Sequence, residues 1–248
     1  MNDDPISSRA LTLAERESYK TYGYVLLKGL LSPEQVAATR DDVMAIMNQI
    51  GLGMTALKQT SEYLADSPLE ALVNSPHLQA IASALMEGEA RLYLPFSAVK
   101  SPGGGGAFHF HQDNQYTKFD GPGINLWVAL VPMTEENGCL SMVPYSHYLG
   151  TLHPVAGTNH NSGLEPAVRV PVPMAPGDVV AFSRLTVHGS GKNLTDEARV
   201  AYAIQYARHD VRYTRDLGQT WKTIADDGPG WRTGPVEAIT IPEKRDGH

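Results

Sequence analysis

A chain of 248 residues suits one sizeable domain better than two, and 42% hydrophobic with 19% charged residues excludes a disordered or coiled-coil chain. Lys and Arg total 20 against 27 Asp and Glu, and the net charge of −7 argues against a nucleic-acid surface built on phosphate neutralisation. The single cysteine, Cys139, allows no internal disulfide, no apolar run reaches the roughly 18 residues of a membrane span, and MNDDPISSRA lacks the character of a secretory signal, so a cytoplasmic protein is expected.

In chain order, YVLL at Tyr24 to Leu27 has the look of an edge strand. Ser32-Pro33-Glu34-Gln35 then combines a hydroxyl cap, a proline at the first helical position and a Gln at the third, and Val36, Val43, Ile46, Met47 and Ile50 follow at helical spacing. A second start, Ser75-Pro76, leads a helix whose Leu78, Ile81, Leu85 and Met86 share a face. From Arg91 the pattern changes to short β-rich segments separated by Gly, Pro and Asn: RLYLPFSAV, AFHFHQDNQY, INLWVALVPM, CLSMVP, VRVPV, DVVAF and RVAYAIQYA. Seven or eight short strands after a helical start predict a barrel or sandwich with helices packed outside. The expected layout is one domain with a mostly helical flank over 1–90, a β core over 91–208 and an irregular cap over 209–248.

On a strand, residues two apart share a side. A strand through His109, His111, Asp113 and Gln115 would put these four on one face, with Phe108, Phe110 and Tyr116 opposite. RVAYAIQY likewise sets Arg199, Ala201, Ala203 and Gln205 against Val200, Tyr202, Ile204 and Tyr206. If the apolar faces meet the helices, polar groups line the interior, where an unliganded His, Asp or Arg carries a desolvation penalty that a metal and an anion would remove. His111, Asp113 and, after a long gap, His188 are the candidate ligands: two imidazoles and one carboxylate leave positions open for a co-substrate and O2, as in non-haem Fe(II) sites.

H-x-D alone is a weak signal. The second half, PGDVVAFSRLTVHGSGKNLTDEARVAY, makes it specific. With HQD at His111 to Asp113, NLWVAL, ENGCLSMVPYSH and HGSGKN followed by Arg199, the segment from Tyr93 to Tyr206 resembles the phytanoyl-CoA dioxygenase family of Fe(II)- and 2-oxoglutarate-dependent oxygenases. The resemblance implies a mainly β fold, a double-stranded β-helix (jelly-roll) core with flanking helices. It implies Fe(II) held by His111, Asp113 and His188, with 2-oxoglutarate and O2 as co-substrates. Arg199 would offer its bidentate fork to the far carboxylate of 2-oxoglutarate, Ser190 a hydroxyl to the same molecule, and Trp127 and, more loosely, Tyr93 match family positions near it. Lys58 aligns too poorly to carry over a lysine that some members use. Where the family commonly has glycine, this chain has Tyr145. The carboxylate of Asp113 argues against a halogenase, whose iron needs that position free for halide.

Phe108, His109, Gln115 and Tyr116 are candidate substrate contacts. The expected substrate is a small metabolite in natural-product tailoring, oxidised at a C–H bond by hydroxylation or by desaturation, cyclisation or rearrangement. No basic patch for the phosphates of coenzyme A is evident, and no peroxisomal tripeptide ends the sequence. Neither a nucleic acid nor a membrane is an expected partner, and a monomer or homodimer is. A cupin-type metalloenzyme using His109, His111 and His188, and a non-catalytic binding jelly-roll, are the competing readings. Gly103 to Gly106 lacks the Lys and Ser/Thr of a phosphate loop, and His147, His153 and His160 read as surface residues.

Overall fold

The computed structural model describes residues 9–51, 57–61, 66–153, 165–216 and 218–224. His160 and most of the tail expected to be irregular lie outside them. The helices are α1 (Leu13–Tyr22), α2 (Pro33–Ile50), α3 (Pro68–Val73) and α4 (Pro76–Leu85). The strands are β1 (Tyr24–Leu27), β2 (Leu57–Thr60), β3 (Ala90–Lys100), β4 (Phe108–His111), β5 (Lys118–Phe119), β6 (Gly123–Ala129), β7 (Leu140–Met142), β8 (Val170–Pro171), β9 (Val179–Ser183), β10 (His188–Ser190), β11 (Arg199–Arg208), β12 (Arg212–Thr214) and β13 (Lys222–Thr223). Among the described residues no helix is long and apolar enough to cross a membrane.

The helix starts form as their sequences dictate. Ser32 accepts from the Gln35 amide while the Gln35 side chain accepts from the Ser32 amide at 2.7 Å, a reciprocal cap that satisfies two otherwise orphaned donors. Val36, Val43, Ile46 and Met47 then face inward. Ser75 caps α4 by accepting from the Leu78 amide at 3.2 Å, and Leu78, Ile81 and Leu85 are buried. The helix α1, which the apolar spacing does not announce, buries no residue fully; a Thr12–Glu15 capping box starts it and Gly23, at φ 84°, ends it in the left-handed conformation.

A six-stranded sheet, in the order β1-β9-β6-β11-β3-β2, faces a four-stranded sheet ordered β4-β10-β7-β8; both are antiparallel throughout. This is the jelly-roll core, without closure into a barrel, and β1 is the edge strand its sequence suggests. The alternation on β11 is realised in full. Val200, Tyr202, Ile204 and Tyr206 pack in the core shared with the helices, whereas Ala201 and Ala203 join Trp127, Leu140, Met142 and Phe182 in a second core between the sheets. The Asp178 carboxylate holds the turn into β9, accepting from the amides of Gly29 at 2.8 Å and Ala175 at 2.9 Å.

Three expectations are corrected. The strand through His111 stops there, and Asp113–Gln115 forms a single 3-10 turn. A bulge also breaks its alternation: His188 pairs with His111, but Ser190, two residues on, pairs with Phe108, three residues back. The extra residue reverses the faces, so His109 is exposed and Phe108 lies against the His111 ring at 4.7 Å. The start of the tail is not irregular: β12 and β13 form a three-stranded sheet with β5, because backbone groups of Tyr213 and Thr214 pair with Phe119 and Lys118. The flank holds a second strand, β2, whose LKQT sequence has no β signature and which forms by pairing with the free edge of β3.

Candidate metal centre

Two strands and one turn converge on the site. His111 ends β4, His188 begins β10, and they are register partners with ring centres 4.2 Å apart. Gln112 between the two candidate ligands points away, donating to the carbonyls of Gly150 at 2.8 Å and Leu185 at 2.6 Å and accepting from the Leu152 amide at 2.7 Å. Those three bonds anchor the turn and leave His111 and Asp113 aimed the same way.

Each group has the arrangement that a metal ligand would need. The Nδ1 atoms of His111 and His188 lie 2.8 Å and 2.9 Å from the carbonyls of His109 and Thr186. A carbonyl only accepts, so Nδ1 carries the proton and each Nε2 lone pair is free. Each Nε2 is 3.7 Å from Oδ1 of Asp113, too far for a hydrogen bond, and the three ligand atoms all lie within 4.8 Å of one another. The other carboxylate oxygen, Oδ2, accepts from Gln205 Nε2 at 3.1 Å and Asn125 Nδ2 at 3.3 Å. One oxygen is thus held and the other is turned to the imidazoles. Burial would raise the Asp113 carboxyl, but His111 beside it and the buried Arg184 guanidinium keep it well below the ordinary carboxylate range. Burial, aided by His111, lowers His188 to about 4 and keeps it neutral. This donor set fits a divalent transition metal with open positions.

Sequence reading gave no role to the groups behind the ligands. Arg184, buried at the end of β9, donates to Gln205 Oε1 at 2.7 Å and to the carbonyls of Asp113 and Thr117 at 2.9 and 3.1 Å, and sits 4.1 Å over the Phe119 ring. By occupying Oε1 it forces the Gln205 amide to present its N–H to Asp113. The signal was faint: Arg184 is four residues before His188, and Gln205 shares the inner face of β11 with Arg199.

A cavity of about 300 Å³ opens from these ligands and reaches Ser190, Trp127 and Arg199. Arg199 is 1% exposed, and its guanidinium donates to the carbonyls of Gly138 at 3.2 Å and Ala98 at 3.4 Å and lies 5.1 Å over Trp127. Its Nε has no partner, nor has Trp127 Nε1, and among the described residues no carboxylate pairs with it. A buried cation with an orphaned donor facing a cavity fits a ligand carboxylate. Lys100, fully buried beside it, donates to Ser190 Oγ at 2.9 Å and to the Gly191 carbonyl. Burial and the Arg199 charge lower Lys100 to about 7.

The remaining candidates separate. Phe108 and Tyr116 line the cavity and meet His111 edge-on, Tyr116 at 5.4 Å. The Gln115 side chain is spent on its own turn, accepting from the Gln112 amide at 3.0 Å and donating to the Leu152 carbonyl at 3.2 Å. Tyr93 lines the cavity at the end away from Arg199, seven residues or roughly 20 Å along β3 from Lys100. There its hydroxyl donates to Thr117 at 3.2 Å and accepts from Arg215 at 3.2 Å. Lys58 pairs with Val99 and shares that residue's outward side, whereas Leu57 and Gln59 line the cavity. The cupin reading needs His109 as a ligand, and that side chain is exposed outside the cluster.

The phytanoyl-CoA dioxygenase (PhyH) family profile matches residues 19–201. A methylphosphonate hydroxylase of Gimesia maris is 29% identical over 237 residues, covering 88% of this chain and 91% of that protein. A probable phytanoyl-CoA dioxygenase of Caenorhabditis elegans is 35% identical over 131 residues, 47% of this chain and 42% of that protein, so the match spans less than half of that relative's length. Among solved structures, the epimerase SnoN in complex with Fe3+, alpha ketoglutarate and nogalamycin RO superposes with a TM-score of 0.68 at 23% identity, over 91% of this chain and 93% of that one. That likeness establishes the shared fold.

Proposed function

The chain belongs to the phytanoyl-CoA dioxygenase family of non-haem Fe(II)/2-oxoglutarate-dependent oxygenases, and from that premise we propose that it oxidises a C–H bond of a small metabolite in natural-product tailoring. One observation carries the reading: both imidazole Nε2 atoms and one carboxylate oxygen, all buried, converge within 4.8 Å while every other polar atom of the three side chains is occupied. His111, Asp113 and His188 would hold Fe(II), and Arg199 would hold the far carboxylate of 2-oxoglutarate. When bound, iron with 2-oxoglutarate and O2 supplies the oxidising power for C–H cleavage, the co-substrate leaving as succinate and CO2.

The chain's own contribution is placement and exclusion of water. Gln205 and Asn125 hold one oxygen of Asp113 so that the other faces the metal position. Arg199, 1% exposed and with Trp127 against its face, receives a carboxylate where little water reaches the guanidinium and the attraction is stronger than at the surface. Phe108 and Tyr116 wall the ligand side, and Tyr93, with Thr117 and Arg215, belongs to the substrate end in this reading. Hydroxylation is the default outcome. One relative is named a hydroxylase and one structural neighbour an epimerase, so substrate positioning decides the product. We read the whole chain as a single oxygenase domain, cytoplasmic, monomeric or homodimeric, acting on a free small molecule without a nucleic-acid partner.

The test is anaerobic reconstitution with Fe(II), followed by 2-oxoglutarate turnover on exposure to air, read as succinate with and without candidate metabolites. One equivalent of metal and metabolite-dependent succinate are expected. Full metal affinity and full turnover in Asp113→Ala would overturn the ligand assignment, and no turnover under any condition would leave the non-catalytic binding protein.

A further inference from the structure

The substrate end of the cavity carries a chain of donors that all point one way. Arg215, just after β12, donates to the Tyr93 hydroxyl oxygen at 3.2 Å, and Tyr93 donates in turn to Thr117 Oγ1 at 3.2 Å. A guanidinium only donates, so the direction is set at the Arg215 end and the Thr117 proton is the last of the series. Tyr93 and Thr117 are 3% and 8% exposed, and both line the cavity. Among the described residues no acceptor takes the Thr117 proton. That hydroxyl is offered to whatever enters, and each donation upstream polarises it further.

Charge decides the kind of acceptor. The described lining holds one carboxylate, Asp113, against two guanidiniums, Arg184 and Arg199. With the site filled, Asp113 and one carboxylate of the dianionic co-substrate would balance a divalent metal, and Arg199 would balance the other carboxylate. Arg184 is left over. It is 3% exposed, it donates to the neutral side-chain oxygen of Gln205 and to the carbonyls of Asp113 and Thr117, and among the described residues no carboxylate pairs with it. Its guanidinium lies 5.5 Å from the Tyr93 ring, against the same wall that presents the Thr117 hydroxyl. A cavity with positive charge in excess and an unclaimed donor suits an oxyanion, whereas a neutral guest would leave the buried charge unbalanced. The cavity of about 300 Å³ must also hold the co-substrate, so the guest is small.

We propose, resting on the oxygenase reading above, that the substrate is a small organic acid whose carboxylate or phosphonate group is received by the Thr117 hydroxyl. Tyr93 and Arg215 act through Thr117 as positioning residues, and Arg184 supplies the balancing charge. The acid is held by one end, which leaves its carbon chain toward the metal position.

Line broadening by bound Mn(II) tests this without turnover. Wild type, Thr117→Val, Arg215→Gln and Arg215→Lys are loaded with Mn(II) and 2-oxoglutarate under nitrogen, with protein in excess of metal. Each is titrated with butanoate, propylphosphonate and the neutral isostere butanamide, and the proton line widths of the probe are read. Wild type should bind at least one acid about tenfold or more tighter than the amide, and the two acids tell a planar from a tetrahedral preference. Thr117→Val should weaken that acid about fivefold or more. Arg215→Gln should cut its preference over the amide about threefold or more, and Arg215→Lys, which keeps a charged donor, should retain most of it. Should Thr117→Val not fold, the two Arg215 variants, at the exposed end of the series, carry the comparison. Equal binding of acid and amide, or binding of no acid, would overturn the inference. Acid binding unchanged in both Thr117→Val and Arg215→Gln would overturn it too, placing the acid on the metal instead. A wild-type protein that binds Mn(II) but no 2-oxoglutarate would overturn the functional reading, and this inference with it.

Discussion

Gln205→Leu should weaken metal binding without touching a ligand. The Gln205 amide donates to Asp113 Oδ2 at 3.1 Å, and a hydrogen bond to a charged group contributes about 1.5–3 kcal/mol. Partners that orient metal ligands are typically worth about 10–100-fold in metal affinity, or about 1.4–2.7 kcal/mol, the same range. Asn125 stays on Oδ2 at 3.3 Å, so the carboxylate is loosened rather than released, which places the expected loss near the lower end, about tenfold. A second cost falls on the apo protein, since the Arg184 N–H that Gln205 Oε1 accepts at 2.7 Å is left buried and unpaired, at about 1–3 kcal/mol. In a chain of this length that lowers Tm by about 2–12 °C. Anaerobic Mn(II) titration beside thermal unfolding measures both. A folded Gln205→Leu protein whose Mn(II) affinity stays within twofold of wild type would refute the claim that the Arg184–Gln205–Asp113 chain orients the ligand.

Other changes probe other parts of the cup. Arg199→Ala should raise the apparent constant for 2-oxoglutarate about 30-fold, the loss of a charge-assisted pair, while Mn(II) binding changes little; a parallel loss of both would tie Arg199 to the metal instead. Gly138→Ala should destabilise by more than about 2 kcal/mol in urea titrations, because φ is 74° and the new methyl meets the Gly191 carbonyl as well as Lys100; wild-type stability would mean the turn relaxes at no cost. The ligand-free protein should gain stability as pH rises from about 7 toward 9.5. Lys100 titrates at about 7 folded and near 10.5 unfolded, so across that window the unfolded chain binds more protons, and unfolding becomes harder as they are withdrawn. The groups facing it are Arg199, which lowers it, and the Cys139 thiol, which raises it. Lys100→Met should flatten the slope, and an equal slope in both proteins would assign it to another group.

Much of the candidate site can be read from residue types and spacing. His111 and Asp113 are two apart, His188 follows a Pro-Gly-Asp turn and strand, and Arg199 leads a strand whose alternation the structure keeps over its whole length. The reading failed at β4, where strict alternation placed His109 inside. The bulge opposite β10 adds one residue there, and one residue exchanges the faces. The candidate ligand pair stays together despite that exchange because Gln112, through three bonds to distant backbone, fixes the turn that carries Asp113. Tyr145 shows a departure in composition meeting a backbone demand: it takes φ 66°, a conformation glycine adopts freely, and leans on Tyr22 at 5.3 Å.

The sequence by itself determined the periods, the caps and the kinds of side chain offered to the interior, because helix starts and strand faces depend on neighbours a few residues away. Only the tertiary structure decided which of those side chains meet. The pairing of Lys100 with Arg199, the grip of Arg184 on Gln205 and the bulge that turns out His109 follow from the register between strands far apart in the chain, and register is set by how two sheets pack their inner faces rather than by any local pattern.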